Sequence, residues 1–194
     1  MSALRFNSVI YGEFITLAKV TESDASYIYE LRTSSSGSLL NHPKDYSVEK
    51  QREWIASRGN DEINYLIYDK DRGESVGMVS IYECNVHDRV SNCGRLLLEP
   101  KYIAQGSPYG LEALKICYGY IFNEMGFRKI TGIIAGSNTK IIGLQQYLGM
   151  VQEGLMKGHA LINGKYEDIH IFSLFKDQFG QYSSRIDNLL NKYR

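Results

Sequence analysis

The chain is short of several things, and each shortage closes off a class of function. It has no net charge, with 22 basic residues against 22 acidic ones over 194 positions. A nucleic-acid binder driven by phosphate contacts carries a basic excess, so no nucleic acid is expected as a partner. The three cysteines, Cys84, Cys93 and Cys117, show no CxxC spacing and lie in apolar, strand-like surroundings. That pattern predicts buried, reduced thiols and no metal site. No run approaches the ~18 apolar residues of a membrane-spanning helix, and Met1-Ser2-Ala3-Leu4-Arg5-Phe6-Asn7 lacks the long apolar core of a signal peptide. A cytoplasmic protein with no membrane partner is expected. No Pro-, Gly- or Ser-rich linker and no internal repeat divides the sequence.

What is present is enough apolar material, 43% of the residues, to bury one full core. The chain is organised around the stretch from Gly94 to Met125. Arg95-Leu96-Leu97-Leu98 reads as a strand, Glu99-Pro100 as a turn, Gln105-Gly106-Ser107-Pro108-Tyr109-Gly110 as a loop, and a helix begins near Leu111. A strand that breaks into a glycine-containing loop and then a helix leaves unpaired N–H groups pointing one way. The helix dipole adds positive charge there, which suits a phosphate or pyrophosphate.

Other elements flank this stretch. Phe14–Leu17 reads as a first strand, and Thr21-Glu22-Ser23-Asp24 as a capping box before a helix with Tyr27, Ile28 and Leu31 on one face. Ser47 is placed to cap a second helix through Trp54 and Ile55. Asn64–Asp69 and Val76–Tyr82 form a hairpin across Asp71-Arg72-Gly73-Glu74, and His87, Asp88 and Arg89 lie in the next loop. Lys129–Ala135 is a strand, Asn138–Leu148 a helix stopped by Gly149, and Val151–Leu161 and Tyr166–Leu174 are strands joined through Asn163-Gly164. The tail carries a short amphipathic helix with Ile186, Leu189 and Leu190 on one side. It lies on the body or on a second subunit, which leaves a homodimer open. The order predicts an α/β (α+β) fold, a mixed sheet with helices on both faces, in a domain over 1–175 followed by a helical extension over 176–194.

Two segments resemble the GNAT N-acetyltransferase superfamily. Gly94-Arg95-Leu96-Leu97-Leu98-Glu99-Pro100, followed by Gln105-Gly106-Ser107-Pro108-Tyr109-Gly110, is similar to its acetyl-CoA-binding segment, whose loop runs Gln/Arg-x-x-Gly-x-Gly/Ala. Gln105 and Gly110 match, whereas Pro108 stands at the first glycine position and has no N–H to give. Gly106 is expected to offer a replacement approach point in a displaced cradle. Asn138 to Met150 is similar to the later motif, with Asn138, Leu148 and Gly149 in place, Met150 for phenylalanine and Ile141 for a small residue. The resemblance covers roughly residues 14 to 174 and is closest to the branch with ribosomal-protein N-terminal, spermidine and nucleotide-amino-sugar acetyltransferases. It implies a mostly antiparallel central sheet.

The resemblance also implies a chemistry. Acetyl-CoA would be the co-substrate, with no metal, held by Leu96, Leu97, Leu98, Gln105, Gly106, Ser107, Tyr109, Gly110, Asn138 and Gln145. Pantetheine would lie along the Leu96–Leu98 strand like an added strand, through backbone hydrogen bonds. Many relatives carry a glutamate base two residues before the equivalent of Gly94; here the residue is Asn92. Glu83 and His87 are therefore the alternative candidates for proton removal, beside the plainer reading of both as surface groups. Many relatives also place a tyrosine acid seven residues beyond the asparagine, where this chain has Gln145, an amide that can donate a hydrogen bond but not a proton. Tyr147 is expected to be a packed aromatic on the opposite side of the helix. Arg32 and Asn41 are the candidate substrate contacts, Arg32 through a substrate phosphate. The partner implied is a small-molecule amine, an amino sugar or a polyamine. The alternatives are acetylation of a peptide α-amine, as on ribosomal proteins, and a module that holds CoA without turning it over.

Overall fold

A computed structural model describes residues 4–34 and 45–194. Its elements, in chain order, are β1 (Val9–Tyr11), β2 (Ile15–Lys19), α1 (Ala25–Thr33), α2 (Val48–Ala56), β3 (Ile63–Asp69), β4 (Ser75–Asn85) and β5 (Val90–Leu98). After them come α3 (Pro100–Ala104), α4 (Tyr109–Gly119), β6 (Lys129–Ala135), α5 (Thr139–Leu148), β7 (Val151–Ile162), β8 (Lys165–Phe175) and α6 (Phe179–Leu190). The strands form one sheet in the order β1-β2-β3-β4-β5-β6-β8-β7. Every neighbouring pair is antiparallel except β5 and β6.

Local chemistry sets the ends of these elements. The Ser47 hydroxyl accepts the Lys50 amide at 3.2 Å and caps α2. Asp24 returns its carboxylate to the Thr21 amide at 2.7 Å ahead of α1. Gly149 ends α5 at φ +108, and Asn163 and Gly164 close the β7–β8 hairpin at φ +49 and +77, the pair of positive values a tight type I′ turn needs. Two short elements escape the sequence patterns: β1, and α3, which lies between the turn expected at Glu99-Pro100 and the loop expected from Gln105. The helix expected from Leu111 to Met125 begins at Tyr109 and finishes in one π-helical turn, Tyr120–Glu124.

Alternate residues of the central strands feed opposite faces, as pleating requires. Tyr65, Ile67, Val79 and Ile81 join α4 and α6 in the larger core, whereas Leu66, Met78 and Leu97 meet Ile28 and Leu31 of α1 in a smaller one. All three cysteines are free and buried. In the tail, Tyr182, Ile186 and Leu190 are buried in the larger core, Tyr182 stacked on Tyr118 with ring centroids 5.0 Å apart. Full burial of a side chain of this size is worth about 1.5–3 kcal/mol, so α6 is held firmly to the body.

Candidate active site

The sheet opens at its centre. β5 and β6 pair only through Val90–Lys129, Ser91–Ile130 and Asn92–Thr131. Beyond that point β5 follows β4, with Leu98 against Gly77, while β6 follows β8, with Ala135 against Ile169. The parting strands leave a cavity of about 260 Å³ lined by Gly94–Leu97 on one lip and Gly132–Ala135 on the other. Tyr118 and Phe172 contribute to its apolar lining, and Asn138, Ile141 and Gln145 of the α5 segment also reach it. The lip of β5 that faces β6 has no ladder partner past Asn92, so its backbone groups are open to an extended ligand.

A bulge sharpens that lip. Met78 pairs with Leu97 but Ser80 with Gly94, two steps on β4 against three on β5. Arg95 takes up the difference at φ +51, a conformation costing a non-glycine residue about 1–3 kcal/mol and kept only where the surroundings enforce it. Gly77 permits the fit: a Cβ there would stand 2.2 Å from the Leu97 carbonyl oxygen. Leu96 and Leu98 pack toward the larger core and Leu97 into the smaller, so these side chains serve the sheet and leave the backbone to the cavity.

At the end of β5 the chain passes through α3 into α4. The amides of Gln105, Gly106 and Ser107 bond to Lys101, Ile103 and Tyr102 carbonyls at 3.1, 3.0 and 3.0 Å. The expected replacement donor, Gly106, therefore spends its N–H inside the turn, and Pro108 has none. What remain are the amides of Tyr109, Gly110 and Leu111, the first turn of α4, for which no acceptor is found among the described residues. The Ser107 hydroxyl beside them is buried and equally without a partner. Glu112 pins this helix start: its carboxylate accepts the amides of Glu13, Phe14 and Ile15 at 2.5, 2.8 and 2.9 Å. Tyr109 donates to Asp69, and burial, then that bond, push its phenol up to about 12. From the tail, Tyr193 donates to the Gly106 carbonyl.

Gln145 is buried, and its carbonyl oxygen accepts the Tyr182 hydroxyl at 3.1 Å. With that oxygen spoken for, the amide NH₂ is the end left for the cavity. Tyr147, expected to be packed, is instead 56% exposed, because α5 turns Gln145 and Leu148 inward and Tyr147 stands about 200° round the axis from Gln145.

On the other face of β5 a second group of side chains gathers. Asn92 donates to the Glu83 carboxylate and accepts the Thr131 hydroxyl, which fixes its amide from both ends. Glu83 reaches it from an irregular turn of β4 at φ +52. A carboxylate thus lies beside position 92, carried on the neighbouring strand. His87 is not brought here; it stands in the exposed β4–β5 turn, bonded to Asp88 at 2.9 Å. Arg32 lies at the end of α1 with its guanidinium 5.8 Å from the Tyr46 ring centre, and Asn41 lies outside the described residues. The sequence reading missed Arg95, Tyr82, Trp54, Glu62 and Tyr182. Arg95 alone had a signal, a charge inside an apolar strand.

A mixed sheet splayed beside a bulged strand, with an open helix start at the strand's end, defines an α/β domain of the N-acetyltransferase type. The chain belongs to the GNAT acetyltransferase domain family, whose model matches residues 15–151, and it is an acyltransferase of that type. It is 22% identical to a prophage-derived uncharacterized N-acetyltransferase, YokL, of Bacillus subtilis over 87% of this chain and 93% of the relative. It is 21% identical to a spermidine N(1)-acetyltransferase of Vibrio cholerae over 85% and 95%. Among solved structures, a GCN5-related N-acetyltransferase from Brucella melitensis superposes with TM-score 0.77 at 16% identity, over 94% of this chain and 85% of that one. A chimera built on the Vibrio cholerae spermidine N-acetyltransferase SpeG gives TM-score 0.77 at 20% identity, over 86% and 98%. These likenesses support the fold. Among the described residues no helix is long and apolar enough to cross a membrane, and no cluster of three metal-ligating side chains occurs.

Proposed function

We propose that the chain transfers the acetyl group of acetyl-CoA to the primary amine of a small molecule, by direct attack while both are bound. The observation that carries this reading is the slot between β5 and β6, with an unpaired strand edge on one lip and free helix amides at the end of that strand. The residues present fit the co-substrate. The amides of Tyr109, Gly110 and Leu111 and the orphaned Ser107 hydroxyl suit its diphosphate, and the β5 edge from Leu96 to Leu98 suits its pantetheine amides. Asn138 and Gln145 form the facing wall.

The bound thioester supplies an activated acyl carbon and a thiolate leaving group. The rest falls to the protein. An alkyl ammonium of pKa ~10 is mostly protonated at neutral pH, so a base must remove a proton before the nitrogen can attack. Glu83, held by Asn92, takes this role, directly or through one water. Backbone N–H groups at the bulge receive the negative charge that grows on the carbonyl oxygen. Gln145 turns its NH₂ to the departing sulfur and steadies the thiolate by a hydrogen bond, where many relatives have a proton donor.

Polyamines are the acceptor class that the named relatives suggest, amino sugars the class that the sequence resemblance implies, with a peptide α-amine as the alternative. Gln145 favours one further reading, a module that binds CoA without turnover. Incubation with acetyl-CoA and a panel of amines, followed by free thiol, decides between them. Release of one thiol per acetylated amine is expected. Measurable CoA binding with no thiol release from any amine class would leave the module.

A further inference from the structure

The bulge that shapes the thioester side of the slot also presents a side chain to the other side. At φ +51 glycine would sit without strain, yet position 95 carries arginine, the one charged residue among those lining the cavity. Its guanidinium carbon lies 4.1 Å from the Tyr82 ring centre and 5.4 Å from that of Trp54. Its Nη1 donates to Glu62 at 3.2 Å and to Asn64 at 3.4 Å. Glu62 also faces Arg58 at 3.8 Å, and Asn64 is fixed in turn by Ser80 at 2.6 Å. The guanidinium is therefore clamped by its faces and by one nitrogen. No hydrogen-bond partner for Nε or Nη2 is found among the described residues. A planar fork with one edge open is the arrangement that takes a carboxylate or phosphate through two parallel hydrogen bonds.

We infer that Arg95 is an acceptor-specificity residue, and that the amine acetylated here carries its own carboxylate or phosphate a few bonds from the nitrogen. This rests on the acetyl-transfer reading above. The spacing follows from the strand: Gly94, beside Arg95, lines the slot, and a Cβ on it would stand 3.4 Å from the Tyr82 hydroxyl, so acceptor nitrogen and acceptor anion share one short wall. A polyamine fits poorly. It would bring a further cation to a site where the one adjacent carboxylate, Glu62, is already shared by Arg95 and Arg58.

Two measurements test this. Thiol release is compared for matched amines: ethanolamine with O-phosphoethanolamine, glucosamine with glucosamine 6-phosphate, cadaverine with lysine, and spermidine alone. The acid-bearing member of at least one pair is expected to show kcat/KM about tenfold above its parent and above spermidine, the phosphate and carboxylate pairs telling the two anions apart. Arg95→Gly, which suits the positive φ and keeps the bulge, is expected to collapse that ratio toward one, and Arg95→Lys to restore it only in part. The second readout needs no turnover. Trp54 is the only tryptophan in the chain, so its fluorescence should respond to O-phosphoethanolamine in the wild type and not in Arg95→Gly. Turnover that favours spermidine or the acid-free amines, or a ratio that survives Arg95→Gly, overturns the assignment while leaving acetyl transfer intact. A Trp54 response that depends on Arg95, with no thiol release from any amine, would support the anion subsite and overturn acetyl transfer.

Discussion

The two sides of β5 are built on different principles. Toward the slot and α4 the polar groups on offer are mostly backbone: an unpaired strand edge and three amides with no acceptor among the described residues, set against apolar walls. Toward α2 and the outer sheet face it presents side chains, with Glu83 and Arg95 each fixed by neighbours from other elements. A backbone site tolerates many sequences provided the strand, the turn and the helix start survive. A side-chain site stands or falls on single residues. The difference separates a half that depends on backbone geometry from a half that depends on single side chains.

The largest effect should come from the side-chain half. Glu83→Gln keeps the Asn92 contact within reach but cannot take a proton, and kcat should fall by about 10²–10⁴, the usual worth of a general base. The deficit should narrow as pH rises toward the amine's own pKa of ~10, where free amine no longer needs help. A full rate at neutral pH, measured by thiol release, would remove Glu83 from the mechanism. On the backbone side the sharpest challenge is Gly110→Asp. A Cβ there would sit 3.3 Å from Leu98 Cδ1, and its carboxylate would cap the amides meant for the diphosphate. CoA affinity by calorimetry should drop about 100-fold, or ~2.8 kcal/mol, with the melting temperature little changed. Unaltered affinity would mean that those amides do not hold the nucleotide.

The same contrast explains what the sequence could say. The slot's strands, α5 with its glycine stop, and the β7–β8 turn were legible because period, glycine and the Asn-Gly pair each act within a few residues. β1 and α3 were not, since three and five residues carry no period. The donor set of the loop was displaced from expectation because α3 consumes the amides of residues 105 to 107, which no local pattern announces. On the other face, Trp54, Glu62, Tyr82 and Arg95 converge from three elements and the loop before β3, across some forty positions, and only the fold brings them together. Tyr182 is the extreme case, since it acts on Gln145 from 37 residues away.

That contact supplies a smaller test of how far the tail enters the site. Tyr182→Phe keeps the stack on Tyr118 and removes the hydroxyl that orients the Gln145 amide. One neutral hydrogen bond is worth about 0.5–1.5 kcal/mol, so kcat should fall by up to about tenfold while KM for acetyl-CoA holds. A fall in melting temperature with kcat unchanged would make Tyr182 a core residue and nothing more.

The smallest effect belongs to the clasp between α6 and α4. Asp187 accepts Lys115 through both oxygens at 2.7 and 2.8 Å and Arg194 at 3.1 Å, and the Lys115 bond leads in holding its carboxyl below the usual range. A carboxyl depressed in the folded state stabilises fully above its unfolded pKa, and that gain is lost as pH falls through the folded value. The pair is one-third exposed, so Asp187→Asn should cost less than ~1 kcal/mol, or at most ~2–4 °C in Tm, at neutral pH. Melts from pH 7 downward should show the gap between wild type and variant hold steady and close only below pH ~4, where the carboxylate gains its proton. A gap that persists undiminished at pH ~3 would mean that Asp187 acts through packing and not through its charge. The clasp would then contribute by packing, and the tail would hold the Gly106 turn and Gln145 through the Tyr193 and Tyr182 hydroxyls alone.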